Sequence, residues 1–420
     1  MNPELVAIIS LAALAFAIYL GFTKNVNTGI TAIALALIIG RLGGMADAAI
    51  IKGFPTTTFV RVMGPMIFFS IAGNNKTVEY LAKKTVAHLK LSVKLMPLAL
   101  FLISGLICMV GPGTIATPAI MTVVAASLAV TMGVDPLIFA IFGCAGACAF
   151  GMSPFTSAGI IGINLAETAG IELAPWRYWF ASSIGGICTF MVLYFFLGCH
   201  KLKSNVQLNA ADMGVMNKEQ KQTMICMVAM IIAVMFFKVD VGLACFVVSA
   251  IMLVLGADQK AAISNVPWRT LIMFSGFAIL MNVVMEVGGV DVMSNGLAAI
   301  MTHNTANGFM TLSAGILSLF STATAVVMPT LIPTIPAVCE SMGANISISA
   351  MIAGVSAGAF SSTMSPFSLG GSFIQGACTQ AKDPTSEELR KMWRKQLIAA
   401  FISMAVTSLV SLSGILNIIV

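Results

Sequence analysis

Residues 152–155 read Met-Ser-Pro-Phe, and the same four residues recur at 364–367, which is 212 positions later. Four further identities share this offset: Pro55 with Pro267, Gly64 with Gly276, Gly146 with Gly358, and Gly159 with Gly371. One offset for five separate matches indicates an internal duplication. We therefore divide the chain into a first repeat (residues 1–198), a linker (199–222) and a second repeat (223–420).

The composition is that of an integral membrane protein. Of the 420 residues, 58% are hydrophobic and 9% are charged, whereas a soluble domain has about 25% charged residues. The lysines and arginines behind the net charge of +6 lie in short loops between apolar runs. This arrangement is typical of membrane orientation and not of nucleic-acid binding. The nine cysteines form no Cys-x-x-Cys pair and the apolar runs hold no His/Asp/Glu cluster, so the sequence favours neither a metal centre nor an enzyme.

Ten apolar runs approach the length of a membrane span, which needs about 20 residues. They cover residues 5–22, 26–43, 57–73, 136–166, 177–198, 223–238, 241–256, 269–287, 348–380 and 396–418. We predict an all-α polytopic membrane protein with about ten transmembrane helices. Residues 76–94 have lysines on one helical face and apolar residues on the other, which predicts a helix in the membrane interface.

Two additional apolar stretches, residues 92–131 and 306–338, are interrupted near 111–118 and 321–329 by glycine, proline and hydroxyl residues. Because proline and glycine disrupt a helix, each stretch is predicted to form a re-entrant hairpin with a tip in the membrane. The spans 136–166 and 348–380 contain Ser-Pro breaks at 153–157 and 365–368. They are therefore predicted to be broken helices.

Each repeat has five spans and one hairpin, and an odd number of spans places the second repeat upside down in the membrane. Inverted repeats with broken helices at matching positions are typical of secondary transporters. Alternating through the ten spans places seventeen lysines and arginines on one face and four on the other. The positive-inside rule then puts the linker in the cytoplasm and both termini outside. The expected location is the inner membrane of a bacterium.

The four interruptions are rich in hydroxyl residues and contain no Asp, Glu, His, Lys or Arg. Half-helix N-termini suit an anionic substrate, whereas carbonyl and hydroxyl oxygens suit a sodium ion. We predict that the substrate is bound by Thr114, Thr117, Ser153, Thr156, Ser321, Thr322, Ser365 and Ser368. We predict that sodium is bound by Gly113, Ser157, Thr324 and Thr363. Close helix packing is the alternative role for such small residues.

The coupling ion is predicted from the same interruptions. A proton-coupled site needs a titratable group within the membrane, so the sequence favours sodium as the coupling ion, with no other cofactor. The first hairpin is predicted to enter the membrane from the cytoplasm and the second from outside. Two hairpins that enter from opposite faces favour alternating access over a continuous channel.

The chain resembles the ion-transporter superfamily, whose divalent-anion/sodium symporters have a Ser-Asn-Thr hairpin tip and a later Ser/Thr-Pro break in each repeat. Residues 320–329 resemble the second tip, and residues 364–367 resemble the second break. The chain is most similar overall to the MatC-type dicarboxylate (malonate) carriers. The asparagine of the tip is absent from both repeats: Thr322 replaces it in the second, and residues 111–114, Gly-Pro-Gly-Thr, replace the motif in the first.

This resemblance implies a homodimer with a fixed scaffold and a moving transport domain, which carries a small carboxylate, such as a C3–C4 dicarboxylate, by an elevator movement with sodium symport. The alternatives are a proton-coupled permease for another organic anion, such as gluconate or citrate, a sodium/proton antiporter, a channel, and a membrane-embedded enzyme. The expected partners are a small anion, sodium and the lipid bilayer.

Overall fold

The structure is a computed structural model that describes residues 3–24, 26–77, 80, 84, 92–203, 215–237, 239–266, 268–302, 304–320, 322–342, 347–382 and 385–420. These residues form helices and connecting turns, and none of them is in a β-strand. The all-helical fold class predicted from the sequence is confirmed.

The helices of the first repeat are α1 (Pro3–Lys24), α2 (Thr28–Leu42), α3 (Asp47–Lys52), α4 (Thr56–Asn74), α5 (Met96–Val110), α6 (Gly113–Thr131), α7 (Pro136–Ala149), α8 (Ser157–Thr168) and α9 (Pro175–Phe196). Those of the second repeat begin with α10 (Lys218–Phe237), α11 (Val241–Val254), α12 (Gln259–Ser264), α13 (Trp268–Glu286), α14 (Gly289–Ile300) and α15 (Ala306–Phe320). A π-helical turn (Ala323–Val327), α16 (Met328–Leu331), a 3₁₀ turn (Ile332–Thr334) and α17 (Ile335–Ser341) follow. The chain ends with α18 (Ile348–Ser361), α19 (Leu369–Ala381), α20 (Ser386–Leu412) and α21 (Ile415–Ile419).

Helix bounds repeat along the chain at the offset of 212 residues. Both ends of α3, α4 and α7 recur at this offset in α12, α13 and α18. The starts follow from local capping: Asp135 accepts a hydrogen bond from the Leu137 amide ahead of α7, and Ser347 accepts one from the Ala350 amide ahead of α18. Such side-chain caps satisfy amides that have no partner within the helix. Similar sequences in the two repeats therefore give similar helices.

Each of the ten predicted spans contains a helix or, at 136–166 and 348–380, a pair of helices. Among the described residues, five helical segments are long and apolar enough to cross a membrane by length and composition, and eight apolar helices are shorter. The long segments are Pro3–Leu20, Gly113–Thr131, Pro175–Phe196, Ala323–Glu340 and Glu387–Leu412. Many large apolar side chains on the outside of the molecule, such as Ile8, Phe16 and Phe195, are exposed. These features are those of a multi-pass membrane protein.

The helices pack into two bodies that cut across the two repeats. The first hydrophobic core draws on residues 6–72 and 226–290 and also includes Phe155, Ile160, Ile161, Ala325 and Val326 from the first break, α8 and the second tip. We call α1–α4 with α10–α14 the leading body. The second core draws on residues 93–199 and 301–420, and we call α5–α9 with α15–α21 the trailing body. Each body therefore takes one part from each repeat, an arrangement that was not predicted from the sequence.

Glycines allow close helix crossings within the leading body. A Cβ at Gly64 in α4 would lie 2.2 Å from the Gly242 carbonyl oxygen in α11, and one at Gly276 in α13 would lie 2.1 Å from the Gly29 carbonyl oxygen in α2. Since Gly64 and Gly276 are equivalent in the two repeats, the two crossings are equivalent as well. The repeats thus exchange matching contacts across the leading body.

Contacts between loops agree with the predicted alternation of spans. Asp135, between α6 and α7, forms an ion pair with Lys395 at 3.0 Å, and Asn265 donates a hydrogen bond to Asn74 at 2.6 Å. All four residues are predicted to lie at the cytoplasmic face. A Cβ at Gly53 would lie 2.9 Å from Asn282 Cβ, and both residues are predicted to lie at the outer face. Which face is cytoplasmic stays a prediction.

Two details differ from the sequence prediction. The first hairpin tip is shorter than residues 111–118, because α6 already begins at Gly113 and includes Pro118. The second arm of the second hairpin is one helical segment, Ala323–Glu340, but its helix type changes from π to α to 3₁₀ and back to α along a stretch with prolines at 329, 333 and 336. Most of the predicted interfacial segment 76–94, and residues 204–214 of the linker, lie outside the described residues.

Candidate functional site

The first hairpin tip and the first break lie in direct contact within the trailing body. Ser153 in the break is fully buried, and its hydroxyl donates a 2.7 Å hydrogen bond to the carbonyl oxygen of Met109 at the end of α5. A Cβ at Gly151 would lie 2.2 Å from Thr114 Cγ2, and one at Gly113 would lie 3.4 Å from Ser157 Oγ. The first turns of α6 and α8 therefore meet the last turns of α5 and α7 at one place.

Glycines make the first tip possible. Gly111 has φ 140° and Gly113 has φ 80°, conformations that other residues rarely adopt. A Cβ at Gly111 would also lie 2.3 Å from the ring of Phe69 in α4. The tip is thus pressed against the leading body. Thr117, one turn into α6, is fully buried, and its hydroxyl has no hydrogen-bond partner within the described residues.

The two breaks have the same internal hydrogen bonds at the offset of 212 residues. The Thr156 hydroxyl lies 2.5 Å from the Gly151 carbonyl oxygen and 2.8 Å from that of Ser153, and it accepts from the Gly159 amide at 3.0 Å. In the second break, Ser368 makes the equivalent contacts with Thr363, Ser365 and Gly371 at 2.6, 2.7 and 3.1 Å. Thr156 and Ser368 are therefore the N-caps of α8 and α19, so part of their hydrogen-bonding capacity is used to shape the loops.

The second break reaches the first repeat through the thiols of α7. Thr363 and Cys148 line one small cavity, and a Cβ at Gly370 would lie 3.1 Å from Cys144 Sγ. The Thr363 hydroxyl donates to the Phe360 carbonyl oxygen. Sequence reasoning missed the role of the two cysteines as contacts to the second break, because nothing in the local pattern of α7 indicates their long-range neighbours.

The second tip lies between the two broken helices and the leading body. The turn Ala323–Val327 packs against α8, α18 and α13. Thr322 precedes this turn in an extended conformation, and its buried hydroxyl oxygen has no hydrogen-bond partner within the described residues. Thr324 is buried. Ser321, which was predicted to bind substrate, lies outside the described residues.

Ser362 also has a fully buried hydroxyl that lacks a partner in the described structure. It precedes Thr363 in the second break, and sequence reasoning did not single it out. The site as a whole has three buried hydroxyls without a partner in the described structure, at Thr117, Thr322 and Ser362, and four helix ends at the first tip and the first break. No carboxylate or basic side chain belongs to the interruptions. Such a neutral site can bind an anion through amides and hydroxyls and a cation through carbonyls and hydroxyls.

A cavity of about 650 Å³ lies where the two bodies meet. Residues 52–57 and α13 of the leading body line it on one side, and the end of α8 with Pro329 and Pro333 lines it on the other. Its lining includes Lys52, Asn164 and Asn282. All of these residues belong to the predicted outer half, so the cavity is an opening towards the outer face in that topology.

Residues 1–151 match the family model described as the N-terminus of the dicarboxylate carrier protein MatC. The fold is similar to the crystal structure of the YdaH transporter of Alcanivorax borkumensis, described as having an unusual topology. The TM-score is 0.58 at 13% sequence identity, over 87% of this chain and 87% of that one. The search of the curated proteins gave no match. The resemblance to MatC-type dicarboxylate carriers is therefore confirmed for the first 151 residues, and the chain shares its fold with a known transporter.

Proposed function

We propose that the chain is a secondary active transporter that carries a small carboxylate, such as a C3–C4 dicarboxylate, together with sodium. The observation that carries this proposal is the contact between the first tip and the first break, where Ser153 binds the Met109 carbonyl and Gly113 approaches Ser157. The similarity to a dicarboxylate carrier family and the fold of a transporter support it.

The substrate's negative charge is met in this proposal by helix N-termini. The first turns of α6 and α8 lie side by side, and each presents amides that have no partner within its helix. The partial positive charge at such an end is equivalent to about half an elementary charge. Thr114 at the start of α6 and Thr322 at the second tip supply hydroxyls to the same ligand.

Sodium is bound in this proposal by the opposite helix ends. The last turns of α5 and α7 supply carbonyl oxygens next to Gly113 and Ser157, and Thr324 and Thr363 supply oxygens in the second repeat. The partial negative charge at helix C-termini favours a cation. A bound sodium ion in turn offsets part of the charge of the carboxylate beside it.

The two hydrophobic cores support an elevator movement. The interruptions connect helices of the trailing body and pack against the leading body through Phe69 at the first tip, Phe155 at the first break and α13 at the second tip. A rigid displacement of the trailing body would carry the whole site past these contacts. In this proposal the leading body is the fixed scaffold and supplies the interface of a homodimer in the bacterial inner membrane.

Uptake into proteoliposomes tests the substrate and the coupling ion. We expect uptake of a labelled C3–C4 dicarboxylate to rise with external sodium, with monocarboxylates competing weakly. Thr114→Val, Thr322→Ala and Ser365→Ala should each raise the apparent substrate or sodium constant by roughly 10- to 150-fold, since a hydrogen bond to a charged group contributes about 1.5–3 kcal/mol. Ser249→Ala is the control, because this buried hydroxyl of α11 donates back to the Cys245 carbonyl oxygen of its own helix, its one hydrogen bond within the described residues.

Equal uptake in sodium-free buffer under a proton gradient would reject sodium coupling and favour the proton-coupled alternative. If all three variants keep the wild-type apparent constants for substrate and sodium, the substrate binds outside the interruptions.

Labelling from one side of the membrane tests the orientation. A cysteine at Thr385, ahead of α20, should react with an impermeant maleimide only from the cytoplasmic side, and one at Glu172, between α8 and α9, only from outside. Both positions are exposed. Reversed labelling would reject the predicted orientation, and labelling of both from one side would reject the span count.

A further inference from the structure

A small hydroxyl-lined cavity lies inside the trailing body, on the side of the breaks away from the hairpin tips. Its volume is about 30 Å³, and α7, α9, α18 and α20 surround it. Equivalent residues of the two repeats line it together: Ala145 with Ala357, Ala149 with Ser361, and Met152 with Met364. The cavity, which we call the hydroxyl chamber, therefore lies where the last turns of the two equivalent helices α7 and α18 meet.

The hydroxyls of the chamber present oxygen lone pairs. Ser182 donates to the Tyr178 carbonyl oxygen at 2.8 Å, and Ser361 donates to that of Gly358 at 2.7 Å. Thr363 donates to the carbonyl oxygen of Phe360. Because these protons are used within the helices, the oxygens remain available as acceptors towards the chamber.

Thr189 in α9 is the residue that points to a ligand in the chamber. Its side chain lines the chamber and only 2% of the residue is exposed, yet its hydroxyl has no hydrogen-bond partner among the described residues. Burying an unpaired hydroxyl costs free energy, so such a group in a packed interior calls for a ligand. Ser403 and Thr407 of α20 complete the lining on the opposite side.

We propose that the hydroxyl chamber binds one dehydrated sodium ion, separately from the ions at the hairpin tips. The last turns of α7 and α18 both face it, and helix C-termini with unwound backbone beside them favour cations. Its size suits one water-sized particle. No carboxylate lines it, which excludes the charge compensation that calcium sites use. This inference extends the proposed sodium coupling, and Thr363 connects the chamber to the second break.

Thermal unfolding in detergent without substrate tests the chamber. Sodium chloride is titrated against choline chloride at constant ionic strength, and we expect sodium to raise the Tm of the wild-type protein. Thr189→Val removes the unpaired hydroxyl without a change of shape. We therefore expect a higher Tm than wild type in sodium-free buffer, together with a rise of about tenfold or more in the sodium concentration at half-maximal stabilisation.

Thr311→Val is the matched control, since Thr311 is equally buried in the trailing body but its hydroxyl donates to the Asn307 carbonyl oxygen. It should leave the sodium midpoint unchanged. Thr407→Val is the second variant if Thr189→Val does not fold, and it should raise the midpoint in the same way. A wild-type Tm that does not depend on sodium, or equal sodium midpoints in wild type and the chamber variant, would overturn the proposal and leave a bound water as the occupant. Because no substrate is present, failure of carboxylate uptake would not produce either result.

Discussion

The two Ser-Pro breaks lie in loops, residues 150–156 and 362–368, that have one internal structure in two different environments. In both, a hydroxyl N-cap binds two carbonyl oxygens and an amide at equivalent positions. Phe155 of the first break is 7% exposed and packs within the core of the leading body, whereas the equivalent Phe367 is 51% exposed. Local sequence therefore determines the loop, and the contact between bodies determines what covers it.

The equivalent serine hydroxyls of the two breaks, at Ser153 and Ser365, also differ in what they contact. Ser153 donates across to Met109 of the first hairpin, whereas the only hydrogen bond shown for the Ser365 hydroxyl in the described structure is accepted from the Phe367 amide. The first break is thus held by its own hairpin and covered by the leading body. In the alternating access that we propose, one end state is expected to show such an asymmetry.

Replacing the two phenylalanines should give the largest difference between the breaks. Phe155→Ala removes a ring from a packed interface and should lower the free energy of unfolding by about 3–5 kcal/mol. Phe367→Ala removes a ring that is half exposed and should cost less than half as much. Thermal or denaturant unfolding in detergent measures both, and equal losses would mean that the second break is covered as well.

Replacing the glycines in the first turns of α8 and α19 should give equal losses of stability. A Cβ at Gly159 would lie 2.0 Å from the Ser153 carbonyl oxygen, and one at Gly371 would lie 1.9 Å from that of Ser365. Gly159→Ala and Gly371→Ala should each destabilise by about 1–3 kcal/mol, the usual cost of overpacking. Because the clash is within the loop, the environment should not matter. A large difference between these two variants would show that the loops are not equivalent.

Replacing the two serines should give the smallest losses of stability, with a larger loss at the first break than at the second. Ser153→Ala leaves the buried Met109 carbonyl without its donor and should cost about 1–3 kcal/mol, whereas Ser365→Ala loses one loop hydrogen bond and should cost about 0.5–1.5 kcal/mol. Unfolding measurements test both predicted losses, and Ser249→Ala is the control that should have little effect. A larger cost at Ser365 would indicate a partner for this hydroxyl in the second hairpin.

The parts of this account that depend on local sequence were predictable. The Ser-Pro motifs, the offset of 212 residues and the apolar runs predicted the breaks and the helices, because caps and prolines act on their immediate neighbours. The length of the first tip was predicted wrongly, since α6 starts at Gly113 and accommodates Pro118 within the helix. Proline inside a membrane helix is tolerated where neighbours satisfy the freed carbonyl, and sequence alone does not reveal those neighbours.

Contacts between residues far apart in the chain could not be predicted from the sequence pattern. The division into leading and trailing bodies, the approach of Cys148 to Thr363 and the chamber at Thr189 depend on which helices lie side by side. Without titratable residues, the candidate site also offers no charge pattern from which its geometry could be derived. Hydroxyl residues are common in membrane helices, so their convergence became visible only in three dimensions.

Cysteine accessibility during transport tests most directly whether the two breaks exchange environments. Phe155→Cys and Phe367→Cys are made in a Cys188→Ser background, because the other eight native cysteines are buried. In the absence of substrate, position 155 should react with a small thiol reagent at least about tenfold more slowly than position 367, a protection of about 1.4 kcal/mol. With sodium and a transported dicarboxylate, the rate at 155 should rise and the rate at 367 should fall. Unchanged rates at both positions during measured uptake would contradict the account.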